Sequence, residues 1–152
     1  MKGNFDIAFA SLLQNEGAYS NNPLDPGGET MYGITKRVAV KHGYTGEMKD
    51  LPLELAKSIA KKEYWDPVAG DDLPTLLDFQ VFDASYNSGP ERAEKWLGQA
   101  EQPWTDDIDK LVMRFDAYRL LFLYSLPSWP SFGRGWTRRI AKNLLRAAGS
   151  SA

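Results

Sequence analysis

Phe5, Ala8, Phe9, Leu12 and Leu13 recur at helical spacing, and the chain then runs into Pro23, Pro26, Gly27 and Gly28, a cluster that no helix or regular strand tolerates. At about 100° per residue the apolar side chains fill one arc of a helical wheel. Glu16 falls inside that arc, four residues after Leu12 and three after Leu13, so its carboxyl group leaves the helix on the side that faces a core. A chain that opens in this way must bring an acidic group, at the end of a helix, to the edge of an irregular stretch held in tight turns.

Burial and the negative end of the helix dipole both disfavour a charged carboxylate at such a place, and Gly17 is positioned to be the left-handed residue that closes the helix. The expectation is a carboxylic acid that keeps its proton near neutral pH, as a general acid must if it is to protonate a leaving oxygen. A half-buried Glu paired with an Arg, or capping a loop amide, satisfies the same periodicity. Asp25 follows nine residues after Glu16, inside the turn-rich segment, and Thr30 five residues later. Acid, rigid turn, second carboxylate and hydroxyl form a compact set for cleaving a glycosidic bond, which needs an acid on one side of the linkage and a carboxylate or a held water on the other. Asp25 also suits an ordinary turn, its side chain bonding the backbone two positions on.

Glu16-Gly17-Ala18-Tyr19, Asp25-Pro26-Gly27-Gly28 and Thr30-Met31-Tyr32-Gly33-Ile34-Thr35 together resemble the signature of the N-acetylmuramidases of glycoside hydrolase family 108. Enzymes of that family cleave peptidoglycan and occur in phage endolysins, prophages and some secretion systems. The Glu/Asp/Thr spacing is also similar to that of phage-type lysozymes, with one residue fewer before the threonine. Two later blocks extend the resemblance. Phe82-Asp83-Ala84-Ser85-Tyr86-Asn87-Ser88-Gly89 is similar to a family helix that lines the cleft opposite the acid. Gly135-Trp136 followed by Arg138 and Arg139 is similar to the Gly-Trp and basic helix with which members often end. By resemblance Glu16 is the acid, Asp25 stabilises positive charge on the sugar or activates water, and Thr30 helps to hold that water. Tyr19, Tyr32, Tyr86 and Asn87 are the candidate saccharide contacts, with packing as the alternative for Tyr86.

What the chain lacks narrows the chemistry further. It has no Cys and a single His, His42, which excludes thiol nucleophiles and Cys-rich zinc sites and leaves any Ser/His triad or zinc amidase dependent on that one residue. His42 precedes Gly43 at an expected helix end, where it suits bonding to the last carbonyls. No metal site and no cofactor are expected. Net charge is −2, but residues 117–152 hold six Lys/Arg and no acid, whereas 1–116 hold 12 Lys/Arg and 20 Asp/Glu. Such a balance is not that of an obvious nucleic-acid binder. The basic face of Arg138, Arg139, Lys142 and Arg146 suits either weak contact with anionic wall or membrane, or simple solvation.

At 152 residues, with 43% hydrophobic content, the chain suits one domain that buries roughly 70% of its unfolded surface. The pattern predicts helices over about 4–16, 36–42, 50–65, 76–88, 90–98 and 106–126, then a basic terminal helix, with a small irregular or hairpin element around 30–34. Asn4, Thr35 and Thr105 are the expected caps, and Met113 and Tyr118 are expected to join the apolar face of the long helix. Tyr64 and Trp65 read as core or rim aromatics, with stacking on a sugar as the alternative, and Asp83, on an apolar face, as a brace for a backbone amide or an Arg, or as an aid to the active site. The fold class is mostly α, a lysozyme-like single domain in which 97–152 packs on the N-terminal lobe. No apolar signal core precedes the first helix, so synthesis in a bacterial or host cytoplasm, with a holin or channel for release to the wall, is the expectation. The expected function is hydrolysis of the β-1,4 bond between N-acetylmuramic acid and N-acetylglucosamine by a monomer. A non-catalytic saccharide-binding or assembly domain and a lytic transglycosylase are the alternatives.

Overall fold

The structure is a computed structural model that describes residues 3–23 and 27–150. Helix α1 spans Phe5–Asn15 and buries Phe5, Ala8, Phe9 and Leu12, the arc expected from their spacing. Asn4 stands at its N-cap, but its side chain does not cap. It donates instead to Asp78 Oδ2 at 2.7 Å, tying the start of α1 to the middle of the chain. The helix stops because Glu16 turns into an extended conformation, φ −97° and ψ 139°, and Gly17 is not left-handed, contrary to expectation.

Three two-residue strands follow: β1 (Tyr19–Ser20), β2 (Thr30–Met31) and β3 (Ile34–Thr35). They form an antiparallel sheet in which Tyr19 pairs with Met31, and Thr30 with Thr35. Tyr32 and Gly33 make the β2–β3 turn, both with positive φ, the primed geometry that matches strand twist. Thr35 caps α2 (Lys36–Lys41) by accepting from the Val38 amide at 3.3 Å, and Gly43 follows it at φ +83°. The His42 ring does not bond the last carbonyls; its Nε2 lies 2.8 Å from Glu63 Oε1.

Helix α3 (Leu53–Ala60) runs on into a wider π turn over Lys61–Trp65, which buries Trp65 completely. Then come α4 (Leu77–Ser88), α5 (Pro90–Ala100), α6 (Ile108–Tyr124) and α7 (Trp129–Ala147). The N-cap of α6 is Asp107, accepting from Lys110 N at 3.0 Å, while Thr105 accepts only from the Asp107 amide. Met113 is exposed, so the core face of α6 is narrower than expected. Residues of α4 enter two apolar clusters. Phe79, Phe82 and Tyr86 join Phe5, Leu12, Ile34 and Trp65, whereas Val81 and Ala84 join Trp96, Val112 and Phe115. Every residue from Leu77 to Tyr86 is buried, so α4 is a central helix packed all round.

That position makes Asp83 costly unless it is paired, and three other helices supply its partners. Its carboxylate accepts from Arg139 Nε at 3.0 Å and Asn143 Nδ2 at 2.8 Å on α7, and from Asn15 Nδ2 at 3.2 Å on α1. Arg119 Nη1 of α6 lies 2.9 Å away. Burial pushes Asp83 up, but Arg139 and Arg119 outweigh it and hold the carboxyl at about 2. Asp116, 2% exposed and without a hydrogen bond among the described residues, goes the other way. Burial, opposed by Arg119 and reinforced by Asp83, raises it to about 7.

These two shifts give opposite pH dependences. Asp83 stabilises the fold above the ordinary carboxylate range, and that contribution is lost as pH falls towards about 2. The contribution of Asp116 is complete below the ordinary range and is lost as pH rises through about 7. Asp116→Asn should therefore narrow the difference in unfolding free energy between pH 5 and pH 8 by roughly 2–3 kcal/mol, read by urea denaturation. An unchanged difference would show that Asp116 does not titrate in that window.

Candidate active site

The extended turn at Glu16 sends its side chain across the β2–β3 turn instead of along α1. Gly33 makes that approach possible: with φ +82°, a Cβ there would stand 2.8 Å from Glu16 Cδ and 2.9 Å from Tyr86 Cε1. The turn is fixed from both sides. Tyr32 N donates to Ala18 O at 2.6 Å, and the Tyr86 hydroxyl donates to Tyr32 O at 2.9 Å. Burial, with the Glu16 charge adding to it, pushes the Tyr86 phenol far above its ordinary value, so it remains a neutral donor.

Arg139 reaches Glu16 from the far end of the chain. Its Nη1 lies 2.6 Å from Glu16 Oε1, while its Nε and Nη2 face Asp83. Burial alone would lower the guanidinium pKa, but Asp83 and Glu16 together raise it above the usual arginine value. Glu16 is therefore half-buried and paired with an Arg, one of the two arrangements its periodicity allowed. It also faces open space, so the pairing does not remove it from reach of a ligand.

That space is a cleft of about 440 Å³. One wall carries Glu16, Gly27, Thr30, Gly33 and Thr35, with Tyr64, Tyr86 and Asn87 beside them. Ser128, Phe132 and Trp136, from the first half of α7 and the residue preceding it, line the cleft as well. Of the residues expected in the site, Glu16, Thr30, Tyr86 and Asn87 meet here. Tyr19 and Tyr32 are not among the lining residues. The Tyr19 hydroxyl donates to Glu29 Oε1 at 2.8 Å on the outer face of the sheet, and the Tyr32 side chain packs against the first core cluster. Asp25 lies outside the described residues. Among the described residues no three His, Asp or Glu side chains converge as metal ligands.

Sequence reasoning did not place Arg139, Ser128, Phe132, Trp136 or Thr35 in the site. Trp136 and Arg139 both lie in the Gly-Trp and basic-helix block, but nothing in the sequence separates Arg139 from its exposed neighbour Arg138. The expected basic face is divided in the fold. Arg138 is exposed, Arg139 is turned inward, and Arg146 covers the Phe79 ring and donates to Gln14.

The arrangement can transfer a proton to or from a bound ligand at one half-buried carboxyl group, with aromatic faces and hydroxyls around it. No curated protein matches the chain. Among solved structures it is similar to SagA of Brucella abortus, with 32% identity, a TM-score of 0.87, and coverage of 99% of this chain and 97% of that one. The agreement extends to the lysozyme-like, mostly helical fold with its small antiparallel sheet. The profile of glycosyl hydrolase 108 matches residues 9–89, the segment that carries Glu16, Thr30, Gly33, Tyr86 and Asn87 and more than half of the 152 residues. The chain belongs to glycosyl hydrolase family 108.

Proposed function

We propose that this protein is an N-acetylmuramidase, which hydrolyses the β-1,4 bond between N-acetylmuramic acid and N-acetylglucosamine in peptidoglycan. The observation that carries the proposal is Glu16, half-buried and lining a cleft of about 440 Å³ together with aromatic and hydroxyl side chains. Glu16 protonates the glycosidic oxygen as the bond to the anomeric carbon breaks. Arg139 sits beside it but is also neutralised by Asp83, so the guanidinium keeps a counter-charge when Glu16 takes up its proton. Asp25 then meets the developing positive charge on the sugar or activates the attacking water. Thr30, on the cleft wall, helps to hold that water. In this reading the protein acts on the wall after release through a holin or a secretion channel, as an endolysin does.

Incubation of purified sacculi with the protein, followed by mass analysis of the soluble fragments, tests the reaction. Ordinary reducing ends are expected, 1,6-anhydro ends would mark a lytic transglycosylase, and no fragments at all would leave a saccharide-binding or assembly domain. Glu16→Gln should reduce fragment release by roughly 10²–10⁴-fold with an unchanged circular dichroism spectrum. Near-native release by the folded variant would remove Glu16 from the mechanism. Asp25→Ala should lose most of the activity; an unaltered rate would assign the second role to solvent. Gly33→Ala should lower activity by about tenfold or more, because the added methyl group displaces the acid, and should cost about 1 kcal/mol or more of stability in thermal unfolding. A fully active Gly33→Ala protein would show that the close turn does not position Glu16.

A further inference from the structure

Four aromatic rings at the α6–α7 corner belong to neither apolar cluster of the core. Phe132 and Trp136 are stacked with centroids 5.8 Å apart, Trp136 and Trp129 lie 6.1 Å apart, and Trp129 meets the Tyr124 ring edge-on at 5.5 Å. The row begins inside the cleft, which Phe132 and Trp136 line together with Glu16. It ends in solvent, where Tyr124 is 66% exposed. Gly133 shapes its middle: a Cβ there would come within 2.5 Å of the Trp129 ring, so the glycine lets that indole lie flat on α7 beside Trp136.

Aromatic faces left out of a core are unfavourable in water unless something apolar covers them. A pyranose presents an apolar C–H face flanked by hydroxyl groups, and Ser128 and Asn87 stand beside the rings with polar groups for those hydroxyls. We infer that this aromatic row is a platform for the glycan strand: Phe132 and Trp136 hold a sugar ring next to Glu16, and Trp129 with Tyr124 hold a ring farther along the same strand. This rests on the muramidase reading for the choice of occupant. It also places strand-length preference in α7 and the end of α6, outside the 9–89 segment that bears the acid.

The test is read by binding, so that it does not depend on cleavage. Glycan strands freed of their stem peptides and fractionated into short and long pools are titrated calorimetrically into the Glu16→Gln protein. Adding Trp136→Ala should weaken both pools by about tenfold, the loss of one ring-on-ring contact. Trp136→Phe should restore most of that affinity and Trp136→Leu should not, although both keep apolar bulk. Tyr124→Ala, at a mostly exposed position and checked for an unchanged circular dichroism spectrum, should weaken the long pool and spare the short one. Equal binding by folded Trp136→Ala, equal rescue by Leu and Phe, or no effect of Tyr124→Ala on long strands would each overturn the platform. If the unsubstituted protein releases no fragments from sacculi while these affinities fall as stated, the platform stands and the hydrolase reading fails. Cleavage with unaffected binding gives the reverse result, and no binding by the Glu16→Gln parent removes the platform.

Discussion

Arg139 is held between two acids, Asp83 in the interior and Glu16 at the cleft, and the architecture around the site follows from that double pairing. A buried ion pair rarely stabilises a fold by its own attraction, because desolvation consumes most of the gain, but removing one partner from such a pair is severely destabilising. The groups converging on Asp83 of α4 come from α1, α6 and α7, so the four helices cannot shift independently without stranding a charge. Arg119 lies 2.9 Å from Asp83 and 3.9 Å from Asp116, so its pull on Asp116 does not offset burial and the Asp83 charge, which raise Asp116 to about 7.

The same arrangement reaches Glu16, whose Arg139 partner is shared with a second counter-ion. Asp83 is that counter-ion, with both its oxygens engaged by Arg139 Nε. The sheet turn completes the geometry from the opposite side, since Gly33 allows the backbone to press against the acid while the Tyr86 hydroxyl holds the turn at Tyr32 O. Asp83 is thus a brace for an Arg, which is one of the roles its place on an apolar face suggested, and through Arg139 it bears on the site as well.

Periodic apolar spacing located the helices well because each buries a face whose repeat is local. The departures are equally physical. Gly17 does not close α1, because Glu16 itself leaves the helix in an extended conformation, so no left-handed residue is required. Asp107 caps α6 in place of Thr105 because its carboxylate reaches the Lys110 amide. His42 turns from the carbonyls of α2 to the Glu63 carboxylate, which the π turn after α3 brings within 2.8 Å. Met113 looks like core by composition but falls on the solvent side of α6. Tyr19 and Tyr32 sit in the motif beside the acid, yet their side chains brace the sheet and fill the core, since adjacent residues in a short strand or turn point in different directions.

Some properties are local to the chain and were therefore settled by it. The absence of Cys and the single His exclude thiol nucleophiles and Cys-rich zinc sites, and the spacing of Phe5 to Leu13 puts Glu16 at the end of an amphipathic helix. What faces Glu16 was decided by the packing of α7 across α1 and α4. Asp83 and Arg139 are 56 residues apart, and Arg138 beside Arg139 has the same charge and a solvent-facing side chain. A choice between neighbours of identical chemistry depends on which face of a helix meets another element, and on which buried charge needs a partner there. The aromatic row on α7 follows the same rule, because a Trp reads alike in sequence whether it fills a core, as Trp65 does, or lines a cleft, as Trp136 does.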